Sequence, residues 1–222
     1  MQTEPWRGLF RTALAILADR NITTDAWTFG GGTALALFLR HRESRDVDIF
    51  LSDAQLLNLL TPRLNEDVAE GVSDYTEGSS FLKLKYTEGE IDFILAPFLT
   101  RNPWILMEVD GVTVRVETPE EIIIKKLFYR SETLRARDIV DTAAVFAARK
   151  EYLLAAATVL GSRLEALQRR WERLQPAFLA EARLLQVKEG LVEKTPALFT
   201  AFLYELQSRI GKLQSGRKAN DL

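Results

Sequence analysis

Residue types change character at Thr118, and the change restricts the folds open to this chain. Ahead of it lie short runs that alternate apolar and polar side chains or concentrate β-branched residues; beyond it Ala, Leu, Arg and Glu take over nearly throughout. Alternation at every second residue marks strands, and the later composition marks helices. The expected fold is α+β, with a sheet-bearing core over residues 1–118 and a helical C-terminal region over residues 119–222. Within the core, Trp6, Leu9, Phe10, Ala13, Ile16 and Leu17 recur at helical spacing. "AWTF" reads as a short strand running into Gly30, Gly31 and Gly32, and "TALALFLR" as a buried helix. "DVDIFL" is a strand and "AQLLNLLTPRL" a helix. "SFLKLKY" and "EIDFILAP" form a hairpin around the glycine-containing "TEG", and "GVTVRVET" supplies one more strand.

Composition narrows the chemistry. The 222 residues carry 29 basic and 31 acidic side chains, so no global charge draws the chain to nucleic acid or an anionic membrane. The absence of cysteine excludes thiolate metal sites, and the lone His41 excludes a multi-histidine site. Oxygen-ligated hard cations stay open. "MQTEPWRGLF" lacks the basic-then-apolar layout of a signal peptide and no run has the length of a membrane span, so a cytoplasmic protein with no membrane partner is expected.

Two aspartates one residue apart raise the chemical question. In a strand, Asp46 and Asp48 point to one side about 7 Å apart, flanked by the apolar Val47, Ile49, Phe50 and Leu51. A divalent cation between them relieves their repulsion, and Mg²⁺ is typically held by one or two carboxylates with substrate phosphates. Asp92 interrupts the apolar strand "EIDFILA" and is the third carboxylate candidate. Gly30 to Gly32 lead into a helix whose first N–H groups and dipole favour a phosphate. A phosphate cradle beside an acidic metal site points to transfer of a nucleotidyl or phosphoryl group from a nucleoside triphosphate. Each piece also has a plainer reading: three glycines can be a tight turn, and "GGGTAL" lacks the G-x-G-x-x-G spacing of a dinucleotide fingerprint.

Gly31 and Gly32, a 13-residue gap and then Asp46-Val47-Asp48 resemble the signature of the nucleotidyltransferase superfamily that includes DNA polymerase β. More narrowly, "GGTALAL", "HRESRDVDIF", "PEEIIIKKL" and "RARDIVD" are similar to four successive segments of the AbiEii/AbiGii toxin-like nucleotidyltransferases, over roughly residues 29–145. The resemblance implies a nucleotidyltransferase fold with a mixed β-sheet core, followed by helices. It implies the toxin of a toxin-antitoxin or phage-defence module, some members adding nucleotides to the acceptor end of tRNA. Carried over by position, Asp46, Asp48 and Asp92 would bind Mg²⁺ or Mn²⁺, Asp92 also serving as base, and Gly31, Gly32 and Thr33 would hold the triphosphate. Lys126 would meet a triphosphate oxygen, and Asp138 of the R-x-x-D-x-x-D run Arg135, Asp138, Asp141 would lie nearest the site. Arg42 and Ser44, in the loop ahead of Asp46, are candidate phosphate contacts.

The same residues support structural roles. "TPEE" makes Thr118 an N-cap, Pro119 the first helical residue and Glu121 the N3 acid of a capping box, which accounts for Glu121 without catalysis. Lys126 could snorkel over Ile122, Ile123 and Leu127. His41 reads as a structural hydrogen-bonding residue. Arg169, Arg170, Arg173 and Arg183 interleave with Trp171 as an RNA grip would, yet Trp171, Leu174, Phe178, Ala182 and Leu185 have the spacing of a packed helix face, the favoured reading. The tail "QSGRKANDL" is expected to fray.

Taken together these features imply a metal-dependent nucleotidyltransferase using a nucleoside triphosphate, with RNA, foremost tRNA, as acceptor and an antitoxin protein as partner. The alternatives are a non-catalytic nucleotide- or protein-binding module and a small-molecule transferase of the antibiotic-modifying kind.

Overall fold

The computed structural model describes residues 4–220. They form two compact units, one of residues 4–38, 44–98 and 104–118, the other of residues 39–43, 99–103 and 119–220.

The first unit is built on a seven-stranded mixed sheet in the order β3-β4-β5-β2-β1-β7-β6. Its strands are β1 (Trp27–Gly30), β2 (Val47–Leu51), β3 (Asp74–Gly78), β4 (Phe81–Tyr86), β5 (Gly89–Leu95), β6 (Trp104–Val109) and β7 (Val112–Glu117). β2 pairs with β5 in parallel and with β1 antiparallel, and β1 runs parallel to β7. Val47, Ile49 and Leu51 of β2, with Ile91 and Phe93 of β5, are buried. Helix α1 (Pro5–Asp19) packs against β2 and β5, as its apolar spacing requires. Trp6 and Phe10 meet Phe29 of β1 with ring centroids 6.2 and 4.9 Å apart. Because side chains alternate across a strand, Asp48 and Phe50 fall on the opposite face, where they are half-buried.

Two strands have no counterpart among the expected elements. β3, Asp-Tyr-Thr-Glu-Gly, is exposed at every position and carries no apolar alternation; its pairing with β4 along all five residues makes it a strand. β6 is an edge strand held by six paired residues of β7, with Ile105 and Leu106 exposed. The helix expected over "AQLLNLLTPRL" is shorter, α3 (Gln55–Leu60), because Thr61 ahead of Pro62 turns to an extended conformation. Helix α2 (Gly31–Leu39) starts earlier than the pattern indicates and includes two of the glycines.

The second unit is helical: α4 (Pro119–Tyr129), α5 (Ala136–Ala156), a 3₁₀ turn (Ala157–Arg163), α6 (Leu164–Ala182) and α7 (Leu191–Asn220). Trp171 packs edge-on against Phe178 and Phe199, and its indole N–H donates to Thr200 Oγ1 at 3.0 Å. Trp171, Leu174, Phe178 and Ala182 are buried, so the packed face of α6 is the one expected. Helix α7 continues through Asn220, where fraying was expected; the last two residues of that tail lie outside the described residues. Among the described residues no helix is long and apolar enough to cross a membrane.

Candidate active site

Strand register places four side-chain positions in one row on the same face of the first unit's sheet. Gly30 of β1 is opposite Asp48 of β2, Asp48 is beside Asp92 of β5, and Asp92 is opposite Lys83 of β4. Neighbouring strands lie about 4.8 Å apart, so the Asp48 and Asp92 carboxylates, at one level of the parallel β2–β5 pair, are neighbours.

The environment of Asp92 is that of a strained pair. Its Oδ2 accepts from Lys83 Nζ at 3.0 Å, while its Oδ1 is buried with no hydrogen-bond partner. Burial, and then the charge of Asp48, push the Asp92 carboxyl up to about 6 against the opposing pull of Lys83. An ionisable group raised this far, with one oxygen unspent, has the character of a proton acceptor or a cation ligand.

The glycines are shaped to this carboxylate. Gly31 has φ +70°, and a Cβ there would lie 1.8 Å from Asp48 Oδ2. Only glycine lets the start of α2 lie against Asp48. A Cβ on Gly30 would lie 2.6 Å from both Glu117 Oε2 and the Phe50 ring. Glu117 is fully buried and its Oε1 accepts from Thr28 Oγ1 at 3.1 Å. This buried acid was not singled out by sequence, because at the end of an alternating strand it reads as an ordinary polar position.

Asp46 sits differently from the expected strand pair. β2 begins at Val47, so Asp46 stands just ahead of it, and its Oδ1 accepts the Glu90 N–H at 3.1 Å. Its backbone carbonyl accepts the Thr33 hydroxyl, which ties the first turn of α2 to the approach to β2. Gly32 and Thr33 are buried in that turn and Ser44 is half-buried in the preceding loop. Among the described residues no three acidic or histidine side chains are gathered into a ready-made metal cage.

In the second unit the other candidates converge on Asp141. This fully buried carboxylate accepts a two-pronged contact from Arg42, Nε to Oδ1 at 2.7 Å and Nη2 to Oδ2 at 3.1 Å, and also pairs with Lys126. His41 Nε2 lies 2.7 Å from the same Oδ1. Burial alone would push Asp141 up, but Lys126, Arg42 and His41 together hold it well below the usual carboxylate range. Asp138 takes a lesser part: its Oδ2 accepts the Arg135 N–H at the start of α5 at 3.0 Å, while Oδ1 faces Arg130 at 3.4 Å and Lys126 at 3.9 Å. Within the R-x-x-D-x-x-D run, Asp141 has more charged partners than Asp138. Two of the partners that make Asp141 the centre, His41 and Arg42, lie about a hundred residues upstream, where no local pattern reveals them.

Glu121 does more than a capping box asks. Its carboxylate accepts the Leu99 N–H at 3.0 Å, the Thr100 N–H at 2.9 Å and the Thr100 hydroxyl at 2.7 Å, fastening residues 99 and 100 to α4.

The fold has counterparts among solved structures. The crystal structure of ANT(2'')-Ia in complex with adenylyl-2''-tobramycin superposes with a TM-score of 0.52 at 18% identity, covering 70% of this chain and 97% of that one. The solution structure of the antibiotic-resistance factor ANT(2'')-Ia gives 0.51 at 17% identity, over 75% and 96% of the two chains. At such identities the likeness is one of fold. No curated protein sequence matches the chain. The sequence model of one nucleotidyltransferase family, in contrast, matches residues 13–208, nearly the whole chain. The protein thus belongs to the nucleotidyl transferase AbiEii toxin family of type IV toxin–antitoxin systems.

Proposed function

We propose that this nucleotidyltransferase moves a nucleoside monophosphate from a nucleoside triphosphate to a hydroxyl of RNA, with tRNA as the acceptor, and that it depends on Mg²⁺ or Mn²⁺. The observation that carries the reading is the adjacency of Asp48 and Asp92, with Gly31 lying against the first and a buried, unbonded oxygen on the second. Two neighbouring carboxylates, one of them lifted to about 6 by burial and then by its neighbour's charge, fit a hard divalent cation, which would neutralise their charge and accept the orphan oxygen. Asp48 and Asp92 would hold it, joined by Asp46 once its carboxylate leaves the Glu90 N–H. When bound, such a cation offsets charge on the transferring phosphate and makes a hydroxyl a better nucleophile.

The protein's own groups supply the rest. N–H groups of Gly31, Gly32 and Thr33 at the start of α2 would receive phosphate oxygens. Asp92 accepts the proton of the attacking hydroxyl as its oxygen bonds to the α-phosphorus; the bond from that phosphorus to the bridging oxygen breaks and pyrophosphate departs. Following the family pattern, Lys126, Arg42 and Ser44 are assigned to phosphate contacts and Asp138 to a supporting acidic role. Arg42 and Lys126, both anchored on Asp141, would meet an anion without first losing conformational freedom. As a toxin-family member the chain would be restrained by an antitoxin protein.

A second reading, transfer to a small-molecule hydroxyl, draws on the shared fold of ANT(2'')-Ia, whose structure holds an adenylylated tobramycin. One experiment separates the two. The protein is incubated with Mg²⁺, each α-³²P-labelled nucleoside triphosphate, total RNA and a panel of aminoglycosides, beside an Asp46→Ala, Asp48→Ala variant. Label on RNA from the native protein alone supports the proposal; label on an aminoglycoside moves the assignment to the second reading. Equal labelling by both proteins removes Asp46 and Asp48 from the mechanism.

A further inference from the structure

The lysine beside Asp92 belongs to no motif, yet its ammonium is bonded to one member of the carboxylate pair. Lys83 is opposite Asp92 in the β4–β5 register, and its ammonium donates both to Asp92 Oδ2 and to Glu90, which lies two residues earlier on the same face of β5. Its side chain is 27% exposed, so the group is neither sealed into the core nor free in water. The cation thus stands at a fork between an acid next to Asp48 and one outside the Asp48–Asp92 pair. Lysine suits such a place, since its ammonium is a compact charge on a stem that can swing between acceptors without changing protonation.

We propose that Lys83 is a resident counter-ion of the Asp48–Asp92 pair, a positioning residue that shifts from Asp92 to Glu90 when a divalent cation binds and so sets how tightly that cation is held. The inference rests on the metal-dependent reading above. In the metal-free protein Lys83 neutralises part of the charge that burial makes costly. A second cation at the same carboxylates meets repulsion from the ammonium, and near a protein surface unit charges a few ångströms apart change binding by tenfold or more. Glu90 lowers that barrier because Lys83 keeps a carboxylate partner after the shift.

The test is a titration of the full chain with Mn²⁺ alone, followed by the electron paramagnetic resonance signal of free hydrated Mn²⁺ at pH 8.5, for native protein, Lys83→Met, Lys83→Arg, Glu90→Gln and Asp48→Asn. Lys83→Met is expected to tighten Mn²⁺ binding about fivefold or more, Lys83→Arg to stay near native, and Glu90→Gln to weaken binding because the lysine is left on Asp92. Unchanged or weaker affinity in a folded Lys83→Met protein, with binding still abolished in Asp48→Asn, overturns the counter-ion role and leaves the metal reading intact. An Asp48→Asn protein that binds Mn²⁺ as the native one does, or a native protein that binds none, removes the metal reading and the inference with it.

Discussion

At the scale of single residues, the half-buried Asp92 and the fully buried Asp141 have opposite environments and therefore opposite effects on stability. Asp92 is raised to about 6 by burial and by Asp48. Between its ordinary value near 4 and that value, the folded protein binds this proton more tightly than the unfolded chain does. Stability contributed by the protonated form is present at low pH and lost as pH rises through about 6. Asp92→Asn is accordingly expected to raise stability at pH 8 by about 1–2 kcal/mol, a partial share of the full linkage because the site is partly solvated, and to abolish transfer. Melting curves of native protein and variant at pH 4.5 and pH 8 check this: a gain confined to the higher pH supports the strained pair, and a loss at both refutes it. Asp141 is held down by Lys126, Arg42 and His41, so its contribution is present at neutral pH and is lost only in acid below the ordinary carboxylate range. Replacing it with Asn leaves Lys126 and Arg42 facing a neutral amide in a buried place and is expected to cost about 3–5 kcal/mol. Urea denaturation at pH 7 measures that cost, and a cost under about 1 kcal/mol would mean that the cations find other partners.

At the scale of elements, the turn from β1 into α2 combines a backbone requirement with a steric one, and the two can be separated. Gly31→Ala meets both the φ of +70° and the Asp48 carboxylate at 1.8 Å, whereas Gly111→Ala meets only a φ of +83° with nothing within 4 Å. The Gly111 variant is expected to lose about 1 kcal/mol and keep activity. The Gly31 variant should lose about 2–4 kcal/mol and activity as well; equal losses in the two would show that α2 moves aside freely. These elements were legible in the sequence because local pattern and tertiary demand agree: β2 and β5 alternate, α1 carries a helical stripe, and the "TEG" turn joins Tyr86 to Gly89 as paired neighbours. β3 was not legible, since Asp74 to Gly78 are all exposed and only the partner strand makes them extended. The candidate site divides in the same way. Asp48 and Asp92 stand out as charges in apolar strands, but Lys83 becomes meaningful only through register, and Asp141 only through residues brought from a distant loop.

At the scale of the whole molecule, charge limits how the proposed RNA acceptor could be bound. A formal charge of −2 supplies no general attraction to a polyanion, so discrimination must come from the site and a local patch. The basic run on α6 is expected not to be that patch. Arg170 donates to the Leu134 carbonyl at 2.8 and 2.6 Å, and the exposed Arg169, Arg173 and Arg183 are interspersed with the exposed Glu165, Glu172 and Glu181. Arg169 is in addition paired with Glu165 at 2.8 Å. A face of balanced sign gathers few phosphates and releases few counterions. Arg169→Ala with Arg173→Ala is therefore expected to change RNA labelling by less than about twofold, and RNA affinity of the native chain should fall only gently with salt, with a logarithmic slope under about 3. Filter binding from 50 to 300 mM KCl measures the slope. A steep slope that the double variant flattens would place RNA on α6 after all, and the arginines would then be read as an acceptor grip and not as the solvated side of a packed helix.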